Sequence, residues 1–152
     1  MNKNITQLRY QGYLNTPQLW KHDLIGGLNQ FEFISLSNSN FNKTSIDEIR
    51  LGKLIEHFVL HELAENESID IFASNLQLID NKVTVGEIDA LIKHLNDFIH
   101  LEIVFKFYLY DPSIKTSEID RWIGPNRNDW FSKKIEKLKT KQFPILKHPK
   151  AK

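Results

Sequence analysis

His100-Leu101-Glu102-Ile103-Val104-Phe105-Lys106-Phe107-Tyr108-Leu109-Tyr110 alternates almost without a break. Its odd positions, Leu101, Ile103, Phe105, Phe107 and Leu109, are all apolar, and its even positions are mostly polar or amphipathic. A period of two marks a strand with one face on a core. The opposite face then carries Glu102 and Lys106 side by side. The run at 83–93 reads as a strand too, with Val85, Glu87, Asp89 and Leu91 at its odd positions, and it contains Gly86-Glu87-Ile88-Asp89. Asp, Glu, Lys and Gly are depleted in strands, so their concentration on this hairpin needs a reason.

Residues 69–79 supply one or two more strands, and Asp80-Asn81-Lys82 has turn chemistry. Residues 93–99 connect the acidic strand to the run at 100–110. Upstream, Ser45-Ile46-Asp47-Glu48 is a capping box that opens a helix over 46–64. Leu51, Ile55, Phe58, Val59 and Leu63 give that helix an apolar side. Residues 35–45 are a polar loop, and 5–36 hold one or two short helices and then an extended segment, with Pro17 in the first turn of the second. Downstream of Asp111-Pro112, Asn128 or Asp129 caps a last helix over 130–141, which Pro144 ends before a short strand at 145–147. The fold class is α/β (α+β), a short mixed β-sheet flanked by helices. The chain reads as one domain, 1–152, with an N-terminal segment (1–44), a core (45–146) and a basic tail (147–152).

Composition sets the outer limits. A chain of 152 residues can bury one real core. Without cysteine, disulfides and thiolate metal sites are excluded. No window approaches the roughly 20 apolar residues of a membrane span, and the start, MNKNITQLRY, has no continuous apolar run. The expectation is a cytoplasmic protein without a membrane partner. The net charge of +1 hides an asymmetry: residues 1–130 hold 12 basic against 18 acidic groups, and residues 131–152 hold 8 lysines against Glu136 alone. The first balance is −6 and the second +7. A basic C-terminal stretch suits a nucleic-acid backbone, or equally a solvated helix face.

Two carboxylates facing one small volume repel each other and raise a pKa unless a cation lies between them. A hard divalent ion, Mg²⁺ or Mn²⁺, prefers oxygen ligands and resolves the conflict. Asp89 and Glu102 are the candidate metal ligands, with Glu87 either joining them or pointing to solvent. Such a metal lowers the pKa of a bound water and neutralises a scissile phosphate. Lys106 is the candidate group to orient that water or to stabilise charge in the transition state. The bland alternative is a cross-strand ion pair on a solvated sheet face.

Gly86-Glu87-Ile88-Asp89, a spacer, and an apolar-Glu-apolar strand with a following lysine resemble the PD-(D/E)XK, restriction-endonuclease-like nucleases, the Holliday-junction-resolvase-like members in particular. A closer resemblance is to the bacterial domain of unknown function (DUF) 1853 family. It rests on Leu51-Gly52 with Glu56, Gly86-Glu87-Ile88-Asp89, His100-Leu101-Glu102 with Lys106-Phe107-Tyr108-Leu109, and Trp122-Ile123-Gly124-Pro125-Asn126, in that order over residues 45–146. Members of that family tend to be longer than this chain. The resemblance implies the restriction-endonuclease-like fold, a helix-borne acid at Glu56 that assists catalysis, DNA as the partner, and a homodimer. It departs at one place. The superfamily's lysine stands two residues after the glutamate, where this chain has Val104, and Lys106 lies about 6.5–7 Å farther along the strand.

Arg127, Lys133 and Lys134 are candidates for phosphate contacts, and Trp122 and Trp130 for base stacking or for anchoring the last helix. Gln142 resembles glutamines that position substrate in related nucleases. His57 and His61 have the i, i+4 spacing of zinc ligands, but Phe58 stands where the catalytic zinc motif requires Glu. His100 could act on a leaving group or close a strand end. No Gly-rich phosphate loop, nucleophile elbow or dinucleotide fingerprint is present. Two functions follow: a Mg²⁺- or Mn²⁺-dependent nuclease acting on DNA phosphodiesters, or a non-catalytic nucleic-acid- or protein-binding module on the same fold.

Overall fold

The computed structural model describes residues 3–21, 24–32, 40–41 and 50–151. Its centre is a long hairpin. β1 (Ile69–Asp80) and β2 (Val83–His94) pair antiparallel along their whole length. Asn81 and Lys82 both take positive φ, 47° and 65°, the left-handed pair of a two-residue turn whose twist matches the strands. Register shifts between Ile71 and Ala73 and between Leu78 and Ile79 mark bulges in β1. A second tight turn at Leu95-Asn96, with Leu95 at φ 56°, leads into β3 (Asp97–Leu101), giving a meander in the order β1-β2-β3. A separate ribbon pairs β4 (Leu109–Tyr110) with β5 (Trp122–Ile123).

Helices cover this framework. α2 (Leu51–Glu65) lays Leu60 and Leu63 on Ile69, Ala90 and Ile92, all buried. Its first turns pack Leu54, Ile55 and Phe58 against Tyr10 of α1 (Lys3–Leu14) and against Phe41. Each such side chain removed from water contributes about 1.5–3 kcal/mol before the entropy of ordering is counted. Glu62, also buried, is hydrogen-bonded by the Tyr10 hydroxyl. α3 (Phe131–Lys137) buries Phe131 and Ile135, and its chain continues through a wider π turn (Leu138–Gln142) into a 3-10 turn (Phe143–Lys147). Ile145 of that turn packs on Leu78 and Ile88. A Cβ built on Gly86 would lie 2.6 Å from Ile145 Cδ1, so this glycine in a strand is a docking point for the C-terminal segment. Among the described residues no helix is long and apolar enough to cross a membrane.

Several expectations are corrected. The sheet is antiparallel throughout, not mixed. The connector at 93–99 is a two-residue turn, so β3 begins at Asp97. The alternating run at 100–110 is not one strand: the ladder stops at Leu101 and pairing resumes only at Leu109. The cause is packing on both sides. Ile103 and Phe105 meet the α1–α2 cluster, while Val104 and Tyr108 meet the α3 cluster. The segment runs between two helical layers, and Phe107 and Leu109 are exposed.

Pro17 starts no second helix, because residues 16–18 are irregular. Trp130, not Asn128 or Asp129, holds the N-cap position of α3, with no side-chain cap bond, and residues 145–147 are 3-10 turn rather than strand. Pro144 sits in the first turn of that 3-10 segment instead of ending the chain's helical path. The capping box at Ser45–Glu48 and most of the 35–45 loop lie outside the described residues. The basic end is folded onto the sheet as far as Ala151, which packs on the Leu78–Ile88–Ile145 cluster.

Candidate functional site

The acids gather where β2 and β3 part. Continuing the Ala90–Leu101 pairing by one step sets Asp89 opposite Glu102. The next ladder bond is absent, and the Ile103 N–H donates instead to Asp89 Oδ2 at 2.7 Å. A side chain thus takes the place of a strand carbonyl, which keeps the amide satisfied while the chain leaves the sheet. Glu87 comes from the same strand two residues earlier, and Glu56 from α2, whose buried Ile55 and Phe58 fix its orientation.

Lys53, one turn before Glu56, ion-pairs with Glu56 and reaches Glu87 Oε1 at 3.3 Å and Asn75 Oδ1 at 2.6 Å. Burial pulls the Lys53 pKa down, but Glu56 and Glu87 outweigh it and the net direction is up. Arg50, Lys53, Glu56, Glu87 and Asp89 line an open pocket of about 480 Å³. Asp89 is half-buried there. Burial, and after it the charges of Glu102, Glu56 and Glu87, push its pKa from 3.8 to about 6, against the opposing Ile103 hydrogen bond.

Glu102 is the most enclosed of the four, its side chain 1% exposed. His100 Nε2 lies 2.8 Å from its Oε1, and the Gln142 amide donates to its Oε2. Gln142 Oε1 in turn accepts from Lys134 Nζ at 2.7 Å. The result is a chain of contacts, His100–Glu102–Gln142–Lys134, linking the end of β3 to α3. Glu102 and Lys134 line a second, larger groove of about 1050 Å³ that runs along the 99–107 segment, whereas Asp89 opens to the smaller pocket.

Lys106 lines the same larger groove but makes its ion pair away from the acids. Its ammonium pairs with Asp129 Oδ2 at 2.9 Å, both side chains being exposed. The lysine read as a companion of Glu102 is therefore held by the loop before α3. Of the four candidate nucleic-acid contacts, Arg127 and Lys133 are on the surface, and Lys133 lies over the Trp130 ring at 4.3 Å from its centroid. Trp122 is half-buried against Tyr110, an anchoring position, and Lys134 is turned inward. Gly124 serves this loop through space: a Cβ there would meet the Asp129 carbonyl at 2.9 Å. His61 packs against the rings of Phe41 and Tyr10, in the aromatic core rather than at a zinc site. Lys53 escaped the sequence reading, although its place one turn before Glu56 was a usable signal.

The donor set bears on a metal. The acids offer oxygen only, as Mg²⁺ and Mn²⁺ prefer, and each carboxylate has about four lone-pair sites, so existing hydrogen bonds do not exhaust it. Among the described residues no group of three His, Cys, Asp or Glu stands close enough to hold a metal ion by itself. The fit is to an ion held by one or two carboxylates, with waters and substrate completing its shell.

Comparison with curated proteins gives no match, and comparison with solved structures gives none. The sequence profile of the family described as "Domain of unknown function (DUF1853)" matches residues 11–152. The Gly-Glu-Ile-Asp hairpin, the Glu102 segment, the Trp-Ile-Gly-Pro-Asn loop and α3 all fall within that span, and the chain belongs to the DUF1853 family.

Proposed function

We propose that this protein is a Mg²⁺- or Mn²⁺-dependent phosphodiesterase with a restriction-endonuclease-like core, acting on DNA. One observation carries the proposal. Burial, and after it the charges of three neighbouring carboxylates, raise the Asp89 pKa to about 6, and a divalent cation beside it would offset that cost. Asp89 and Glu102 would hold the ion, with Glu56 and Glu87 at its edge. When bound, the ion supplies an activated water and charge neutralisation at the phosphate.

The protein's own groups do the rest. The Ile103 amide fixes the Asp89 carboxylate, His100 and Gln142 fix Glu102, and Lys53 offsets part of the negative charge when no cation is present. Arg127 and Lys133, exposed on the surface, would meet a phosphate backbone. A second function, a non-catalytic nucleic-acid-binding module, is favoured by the engagement of Lys106 with Asp129, which removes the hairpin lysine from the acids.

Calorimetric titration with Mn²⁺ of the wild type and of Asp89→Ala, followed by incubation with linear, nicked and branched DNA, separates the two. Saturable binding lost in the variant, together with metal-dependent strand scission, supports the phosphodiesterase. Salt-sensitive DNA binding without metal uptake or scission would leave the module.

A further inference from the structure

We propose that Lys134, tied from α3 to Glu102 through Gln142, is the catalytic lysine of this site, and that Gln142 is the positioning residue that aims it. This rests on the phosphodiesterase reading and names the residue that fills the place Val104 leaves vacant. Three observations lead there. First, Lys106, although it lines the same groove, is exposed and ion-paired with Asp129. Second, Lys134 is held at the groove that Glu102 lines, its Nζ 2.7 Å from Gln142 Oε1, and the same amide group binds Glu102 through Nε2. One side chain therefore sets the spacing between the ammonium and the carboxylate. Third, among the described residues the ammonium of Lys134 donates to a neutral amide rather than to a carboxylate, so its charge is not cancelled at contact.

A half-buried cation held in this way is a receptor for a non-bridging phosphate oxygen, where charge accumulates as the P–O bond to the leaving group lengthens. Burial draws its pKa down, and Lys137 and Lys106 add to that; Glu102 and Asp89 oppose it. The anchor is rigid. Ile135 and Leu138, next to Lys134 and one turn beyond it, are both buried, so the backbone that carries it is packed rather than free.

The test compares Lys134→Met, Lys134→Arg, Lys106→Met and, as a surface control on the same helix, Lys137→Met. Three quantities are read for each: Mn²⁺ affinity by calorimetry, the salt slope of duplex-DNA binding in Ca²⁺ by fluorescence anisotropy, and the rate of scission in Mn²⁺. For Lys134→Met the expected result is a rate lowered ~10²- to 10³-fold and a salt slope smaller by about 0.9, one phosphate contact, with Mn²⁺ affinity within about threefold of wild type. Lys134→Arg keeps the slope, which shows that the fold and the charge survive there, and Lys137→Met keeps all three.

If Lys134→Met cuts and binds like wild type, or if the loss falls on Lys106→Met instead, the assignment is overturned while the phosphodiesterase stands. A wild type that neither takes up Mn²⁺ nor cuts overturns both.

Discussion

Asp89→Asn should make this protein more stable at neutral pH. The native carboxyl binds its proton with a pKa of about 6, whereas an unfolded chain releases it near 3.8. Between those values the folded state holds more protons than the unfolded state, so stability falls as pH rises through the window, and the cost is complete above about pH 6. At about 1.4 kcal/mol per tenfold change in proton affinity the shift sets an upper bound of about 3 kcal/mol, and solvent screening of this half-buried carboxyl reduces the cost to about 1–2 kcal/mol. Asparagine has the shape of the protonated acid and its carbonyl can accept from the Ile103 N–H, so the variant escapes the cost and keeps the contact. For a chain of this size, about 1–2 kcal/mol corresponds to a melting shift of roughly 2–8 °C.

Urea denaturation without divalent ions, at pH 8, 6 and 4, is the assay. Asp89→Asn should lead by about 1–2 kcal/mol at pH 8, by less at pH 6, by a few tenths at pH 4, and by nothing well below that. Mn²⁺ at one hundred times its dissociation constant should then reverse the order at pH 8, because mass action adds about 2.7 kcal/mol to the wild type, more than the variant's lead of about 1–2 kcal/mol, and nothing to a variant that cannot bind. A variant less stable than wild type at pH 8 without metal would refute the claim that burial and three neighbouring acids destabilise the Asp89 carboxylate. Such a result would mean that its ionised form is held by favourable contacts instead.

The remaining expectations concern the supports of the site. Gly86→Ala presses a methyl against Ile145 Cδ1 and should cost about 1 kcal/mol in urea titration, most of it regained in the double variant with Ile145→Val, which removes that atom. Gln142→Leu strips a donor from the buried Glu102 and should lower stability by about 1–3 kcal/mol, whereas equal stability would show that Glu102 finds another donor. Lys53→Met removes the cation shared by Glu56 and Glu87, and should tighten Mn²⁺ binding about thirtyfold, the weight of about 2 kcal/mol between a unit charge and a divalent ion about 4 Å apart in a water-like dielectric. Weaker binding in that variant would show that Lys53 arranges the acids rather than competing with the ion.

The hairpin was legible because each of its parts has a local cause. Asp80-Asn81-Lys82 specifies the turn, and Ile88, Ala90 and Ile92 alternate with Glu87, Asp89 and Leu91. The buried side of α2 was legible from the spacing of Ile55, Phe58 and Leu63. The run at 100–110 misled because alternation reports which residues differ, not what covers them. Val104 and Tyr108 fall at the positions assigned to solvent, yet α3 covers them, and nothing in their local sequence announces a helix that begins at Phe131. The lysines near the C-terminus misled for a related reason. A lysine buries its stem readily, so Lys133 over an exposed ring and Lys134 against Gln142 look the same in sequence.

The same limit bears on how a missing motif residue should be weighed. A lysine two positions after a strand glutamate is a device of the pleat: it places an ammonium on the same face as the carboxylate at a fixed rise. That device requires the strand to continue past the glutamate, and here the ladder has already ended at Leu101. Beyond that point the pleat no longer dictates which side chain stands next to Glu102. The C-terminal helical segment packed across it decides instead, and it brings Gln142, 40 residues on in the chain, to the carboxylate, with Lys134 held behind Gln142. Val104 at the motif position is then a packing residue of the α3 cluster. On the proposal that Lys134 is the catalytic lysine, α3 both covers Val104 and holds that cation, which is why substitution of Lys134 tests the chemistry more directly than restoring a lysine at 104 would.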